Sequence, residues 1–195
     1  LQLKWSFEAI QTVGNPPMSL DEWLILWIHT HATHPWLELF FAWLSDRATF
    51  ALPLLLGLCY YHIRFQKNQA VSSIMWLGLT IALSDGVGQF LKGLLAQPRP
   101  CFSLQTHYAW IEPCGAALTG MPSNHALNFF AVAMFITLTT PWRKWHIGLF
   151  GIAILVAISR VYLFKHFPSQ VIVGAGLGIL LGGLLGYLKQ KLSKN

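Results

Sequence analysis

The sequence predicts an all-α fold: a polytopic transmembrane helix bundle of five to six spans, with N-terminal interfacial helices. Three observations predict it. Of 195 residues, 54% are hydrophobic and only 10% are charged, where a soluble domain carries about 25% charged residues. The apolar residues gather into stretches close to the ~20 that a membrane-crossing helix needs. The basic residues sit at the ends of those stretches and form no single face, so the net charge of +6 points to a bilayer and not to nucleic acid. The length fits one domain over 1–195, divided into an N-terminal interfacial segment (1–45) and a helix bundle (46–190).

Residues 1–17 contain Lys4, Glu8 and a Pro16-Pro17 pair and lack the apolar core of a signal peptide. Leu1 in place of a start methionine reads as a trimmed or processed N-terminus. Residues 20–44 are rich in Trp and Leu but broken by Asp21, Glu22, His29, His31, His34 and Pro35. Trp23, Trp27, Trp36 and Trp43 suit a helix pair lying at the membrane–water boundary, with an irregular sixth span through 20–30 as the other reading. The five clear apolar stretches are 48–63, 70–95, 123–140, 145–164 and 170–188.

Alternating spans put Arg64, Lys67, Arg143, Lys144, Lys189, Lys191 and Lys194 on one side, which the positive-inside rule makes cytoplasmic. The opposite side, the periplasm in a bacterium, then receives 96–122 and the turn at 165–169. Five spans also put the N-terminus outside. In the last stretch Gly174, Gly178, Gly182 and Gly186 recur every four residues. Such a stripe lets a neighbouring helix approach closely; a substrate groove is the lesser reading.

A few cations break the charge rule. Lys92, Arg99, Arg160 and Lys165 all fall on the outer side, where charge near a span is costly and usually functional. Lys92 and Arg99 lie two helical turns apart if the helix persists that far, and Pro98 and Pro100 then stop it. Pro122-Ser123-Asn124-His125 opens the third stretch. Ser123 is a good N-cap, and a helix N-terminus offers free N–H groups and partial positive charge to an anion. Ser159-Arg160 ends the fourth stretch, with His166 six residues on. Three cations, a helix N-terminus and two histidines thus gather on one side, and the guest that fits them is a phosphate.

Lys-six-residues-Arg-Pro, then Pro-Ser-x-His, then Ser-Arg-five-residues-His, in that order, resembles the type 2 phosphatidic acid phosphatase superfamily. The three blocks span 92–170. The resemblance implies that His166 is the nucleophile and forms a phosphohistidine. It implies that His125 protonates the leaving oxygen and later activates water. Lys92, Arg99 and Arg160 would hold the phosphoryl oxygens, with hydrogen bonds from Ser123 and the Asn124 N–H. It implies no metal and no cofactor; the membrane setting points to a membrane lipid as substrate, and the charge pattern puts the site at the outer face of the inner membrane.

The chain departs from the family pattern twice. Asn124 stands where Gly is usual, and Asn tolerates unusual backbone angles. Gln170 stands where most members have an Asp that orients the nucleophilic imidazole, as in the serine protease triad. Its amide oxygen can accept the Nδ1–H bond but adds no charge. Glucose-6-phosphatase, in the same superfamily, resembles this chain in having His-Phe-Pro-x-Gln there, so an active enzyme is expected. Cys101 and Cys114 bracket part of the outer loop, and some bacterial members have cysteines in matching places. A disulfide between them would stiffen the link from Arg99 to His125. Cys59 reads as a free core thiol.

Other polar residues have plainer readings. His29, His31, His34, His62 and His146 read as interfacial, without a metal site. Lys165 either snorkels or joins the site. Asp85, seven residues before Lys92, reads as part of a polar patch between helices or as a tie to Lys92. The functional expectation is a lipid phosphatase, with undecaprenyl diphosphate the leading substrate. Phosphatidylglycerophosphate, phosphatidic acid, lipid A 1-phosphate and a sugar phosphate are the alternatives. A lipid phosphotransferase would use the same phosphohistidine. A non-catalytic transport or structural protein would leave the meeting of three blocks unexplained. The sequence does not set the oligomeric state.

Overall fold

The computed structural model describes residues 18–46, 52–65, 69–105, 118–141 and 143–193, and every regular element among them is helical. The order is α1 (Leu20–Ala32), α2 (Pro35–Ser45), α3 (Leu52–Phe65), α4 (Ala70–Leu95), α5 (Pro100–Ser103), α6 (Asn124–Thr139), α7 (Arg143–Tyr162) and α8 (Pro168–Leu192). The all-α expectation holds, and each of the five apolar stretches overlaps one helix: α3, α4, α6, α7 and α8 in turn.

Burial along α4 runs opposite to that of a soluble protein. Its inward face carries Ser73, Thr80, Ser84, Gly88 and Lys92, while Val71, Met75, Phe90 and Leu94 are about 70% exposed. In α8 the inward face is glycine and the outward face carries Ile172, Leu180 and Leu184. Small and polar residues inside, with large apolar ones outside, is the arrangement a hydrocarbon solvent favours. This is a membrane protein. By length and composition, the stretch Ala70–Ser103 containing α4, and α8 at Pro168–Leu192, can cross a bilayer. The other helices are shorter. The 14 residues of α3 and 16 of α6 rise only about 21 and 24 Å, against a hydrocarbon core of ~30 Å. At 13 residues, α1 is of similar length to α3.

The core is α6, sandwiched against α4, α7 and, most extensively, α8. The glycine stripe explains the intimacy of the last pairing. A Cβ on Gly174, Gly178 or Gly182 would strike a backbone carbonyl of α6 or its cap, from Ser123, Leu127 and Ala131 respectively; one on Gly186 would meet Leu138. The stripe is therefore a packing surface, and no groove runs along it.

The helix pair α1–α2 is well terminated locally. Ser19 and Glu22 form a reciprocal capping box at the start of α1. His34 Nδ1 accepts the Trp36 N–H at the start of α2, with Pro35 at the first helical position. Trp27 and Trp43 are 43% and 49% exposed and Trp36 is 75% exposed. The pair is nonetheless tied into the bundle. Tyr162 donates its hydroxyl to the Ala32 carbonyl and accepts the His34 N–H, both at 3.1 Å. Ser45 and Ser159 share a hydroxyl–hydroxyl bond of 2.6 Å.

Candidate active site

Three short segments between helices meet at one end of the bundle: 96–99, 118–123 and 163–167. Their own backbones hold them together. The Gly120 N–H donates to the Gln97 carbonyl (2.8 Å), and the Ser123 N–H to the Gln170 carbonyl (3.0 Å). Each connection delivers part of the predicted cluster.

The first departs from expectation. Helix α4 does not run on to Arg99 but stops at Leu95, and Ala96 adopts a left-handed conformation (φ 45°). Pro98 biases Gln97 away from helix, so the helix ends upstream of the proline. Lys92 is buried in the last turn, while Arg99 sits extended at the start of α5 with its Nε–H on Thr119 Oγ1 (3.0 Å). Burial draws the Arg99 guanidinium pKa below its usual value, yet arginine remains a cation.

The second connection leads into α6. Ser123 occupies the N-cap position as expected, and its carbonyl accepts the first helical bond from Leu127 (2.9 Å). Its hydroxyl does not cap. It is buried and has no hydrogen-bond partner among the described residues. Asn124 turns its side chain inward, donating Nδ2–H to Asp85 Oδ1 (2.9 Å), and Asn128 donates to the same oxygen (3.4 Å). Asp85 is therefore the polar clasp between α4 and α6. Asn124 fits because residue 88 is glycine: a Cβ there would lie 2.8 Å from Asn124 Cγ. Gly88→Ala should thus cost about 1–3 kcal/mol of stability through overpacking. Adding Asn124→Gly should recover part of that loss; measured unfolding midpoints that fall additively would refute the steric coupling.

The third connection carries His166, which is 2% exposed. Its turn is tight: the Lys165 and His166 N–H groups both return to the Arg160 carbonyl (3.0 and 3.1 Å), and Phe164 takes a left-handed φ of 53°. That conformation is unfavourable for a bulky residue. Phe164 packs edge-on against His29 of α1, ring centroids 5.0 Å apart. His166 Nδ1 lies 2.7 Å from the Gly120 carbonyl oxygen. A carbonyl can only accept, so Nδ1 carries the proton and Nε2 keeps its lone pair. Gln170 is a flanking partner: its Oε1 is 3.3 Å from Nδ1 and also accepts the Phe167 N–H (3.1 Å), while its Nε2 donates to the Pro98 carbonyl (2.8 Å). The expected Gln170 acceptor thus yields first place to a backbone carbonyl. Gly120 must be glycine, since a Cβ would run into the Pro98 oxygen and the Gln170 side chain.

Burial is the main force holding the His166 pKa well below the ordinary histidine value, reinforced by the charges of Arg160, Arg99 and Lys92. The Gly120 bond opposes this. The imidazole is consequently neutral at physiological pH. Arg160, Arg99 and Lys92 all stand near enough to this one ring to act on it electrostatically.

His125 lies one residue into α6, and its Nε2–H donates to the Ser45 carbonyl at the end of α2 (3.2 Å). It lines a cavity of about 480 Å³ shared by α2, α3, α4 and α6, whose walls are mostly apolar, with Asp46, Asp85 and Asn128 among its polar residues. Cys101 is disulfide-bonded and Cys59 is free; Cys114 lies outside the described residues. No group of three or more His, Cys, Asp or Glu side chains among the described residues is placed to hold a metal. His31 and His34 are engaged locally, with the Trp27 carbonyl and the Trp36 N–H.

Known proteins resemble this chain in sequence and fold. Human dolichyldiphosphatase 1 is 32% identical over 134 residues, covering 60% of this chain and 51% of that protein. The undecaprenyl-diphosphatase of Sulfolobus acidocaldarius is 32% identical over 114 residues, covering 58% and 53%. The chain spans about half the length of these relatives. The crystal structure of a transmembrane PAP2-type phosphatidylglycerolphosphate phosphatase from Bacillus subtilis superposes with a TM-score of 0.68 at 26% identity, covering 94% of this chain and 90% of that one. The sequence profile of the PAP2 superfamily matches residues 73–194, which include all three blocks. The chain belongs to the PAP2 superfamily.

Proposed function

We propose that the chain is a membrane phosphatase that hydrolyses a lipid phosphate or diphosphate through a phosphohistidine on His166, with undecaprenyl diphosphate as leading substrate. One observation carries the reading: a buried, neutral imidazole whose tautomer is fixed by Gly120 and on which three cations act. Such a ring presents a nucleophilic Nε2 to an anion that the cations attract. The buried, unpartnered hydroxyl of Ser123 fits a phosphoryl oxygen as acceptor.

On this reading Nε2 attacks the terminal phosphorus, and the bond from that phosphorus to the bridging oxygen breaks. Lys92, Arg99 and Arg160 neutralise the charge on the transferring group, and His125 gives the leaving oxygen a proton. The phosphorylated ring is an imidazolium, and the Gly120 carbonyl stabilises it by accepting its Nδ1–H. Water, deprotonated by His125, then attacks phosphorus. The P–N bond breaks, inorganic phosphate leaves and both histidines return to their starting states. The three cations perform the charge neutralisation that a metal performs elsewhere.

The names of the two polyprenyl relatives favour a polyprenyl diphosphate; the Bacillus subtilis structure favours phosphatidylglycerophosphate as the second reading. The site is assigned to the outer face of the cytoplasmic membrane, because Lys189 and Lys191 lie in the last turn of α8, at the end opposite to Gln170. The test is phosphate release in detergent with EDTA from undecaprenyl diphosphate, phosphatidylglycerophosphate, phosphatidic acid, lipid A 1-phosphate and glucose 6-phosphate. The highest kcat/KM is expected for undecaprenyl diphosphate, unchanged by EDTA. Release from none of them would overturn the hydrolase reading, and abolition by EDTA would overturn the metal-free mechanism.

A further inference from the structure

Helix α8 begins without a cap of its own. Phe167 stands at its N-cap position and has no side-chain oxygen to offer; Pro168 follows and has no N–H. The first exposed donor of the helix is therefore the Ser169 N–H. It is satisfied from far away in the chain. Asp21, in the first turn of α1, accepts the Ser169 N–H on Oδ1 (3.0 Å) and the Ser169 hydroxyl on Oδ2, across 148 residues. A carboxylate at a helix N-terminus also meets the positive end of the helix dipole.

The position of this contact gives it a bearing on catalysis. Ser169 lies three residues after His166 and next to Gln170. Gln170 in turn holds the Phe167 N–H, the Pro98 carbonyl and one side of the His166 ring. On the other flank of the same turn, Phe164 rests on His29, also from α1. The start of α1 is itself rigid, closed by the Ser19–Glu22 capping box. One interfacial helix thus grips the turn that carries His166 at two points.

We propose that Asp21 is a positioning residue for the nucleophile: it caps α8 from the interfacial helix and so fixes where His166 and Gln170 stand. It touches neither substrate nor reacting atoms. The inference rests on the reading of His166 as nucleophile.

The test uses the full chain in detergent, with undecaprenyl diphosphate and phosphatidic acid as probes, for wild type, Asp21→Ala, Asp21→Asn and His166→Ala. Folded fraction is measured for each by thermal unfolding, and rates are expressed per folded molecule. Asp21→Ala is expected to lower kcat by about 10- to 100-fold, the scale of an ångström-level misplacement of a reacting group, with KM held within about twofold. Asp21→Asn should fall between, since its amide oxygen can still accept the Ser169 N–H while its NH₂ cannot accept the hydroxyl. A cap that serves only stability would lower the unfolding midpoint and leave kcat per folded molecule at the wild-type value, and that result would overturn the proposal. So would a loss confined to KM. His166→Ala separates this from the underlying reading: if that variant stays active, the nucleophile assignment fails and the Asp21 role with it. If it is dead while Asp21→Ala matches wild type, only the Asp21 role fails.

Discussion

Replacing His166 with Ala is expected to lower the hydrolytic rate by about 10⁴-fold or more, the scale seen when a nucleophile is removed from an interlocked catalytic unit. The reason lies in how narrowly the ring is specified. Its Nδ1–H is committed to the Gly120 carbonyl at 2.7 Å, so attack can come only from Nε2. No other histidine shares that turn: His125 hangs from α6 with its Nε2–H on Ser45, and the histidines of α1 serve local contacts. The variant should remain folded. The ring is one of many buried groups, and the turn is closed by backbone bonds to the Arg160 carbonyl that alanine retains. Two measurements check this. Rates on a lipid phosphate should collapse, and acid-labile, base-stable phosphoenzyme trapped during wild-type turnover should vanish. Retained activity or retained phosphoenzyme in His166→Ala would overturn the assignment.

The contrast between His166 and its supports shows what a sequence of this kind discloses. The side chains of the candidate site stand out in the sequence because each is an expensive choice near a membrane. Lys92, Arg99 and Arg160 break the charge rule, and their spacing from Ser123, His125 and His166 repeats a known pattern. The α-helical bundle was legible because apolar length and glycine spacing are written directly in residue types. The supports are another matter. Gly120, Pro98 and Ser45 contribute backbone carbonyls, and a carbonyl has no residue identity to read. Only Gly120 left a trace, as a small residue close to the Pro-Ser-x-His block, where the backbone of another connection comes close. Asp21 was read as an interruption of an interfacial helix, because its partner Ser169 is 148 residues away. The end of α4 at Leu95 coincides with the end of the apolar stretch, and only the conditional continuation to Arg99 fails, because Pro98 biases the residue before it away from helix. Asn124 looked like a backbone substitution for glycine. Its side chain proved to be a clasp onto Asp85, fitted to the space left by Gly88.

Arg160 offers the second large effect, and its signature is a change in pH dependence as well as in rate. Arg160→Gln should lower kcat/KM by about 10²–10³-fold, as expected when one preorganised charge is withdrawn from a transition state. The same charge also acts on the nucleophile. His166 is held well below the ordinary histidine pKa by burial first, then by Arg160, Arg99 and Lys92 in that order. The nucleophile must be neutral, so its protonation sets the acid limb of the kcat/KM profile, which reports the free enzyme. In wild type that limb should lie well below the usual histidine range. Removing the Arg160 charge removes one of the depressing effects, so the His166 pKa rises and the acid limb moves to higher pH. Arg160→Lys discriminates between charge and shape. It keeps the cation, so the limb should move little, but it loses the planar fork that binds two phosphoryl oxygens, so the rate should still fall. An acid limb that stays in place in Arg160→Gln would show that burial alone governs His166, and would leave Arg160 a role only in holding the phosphoryl group.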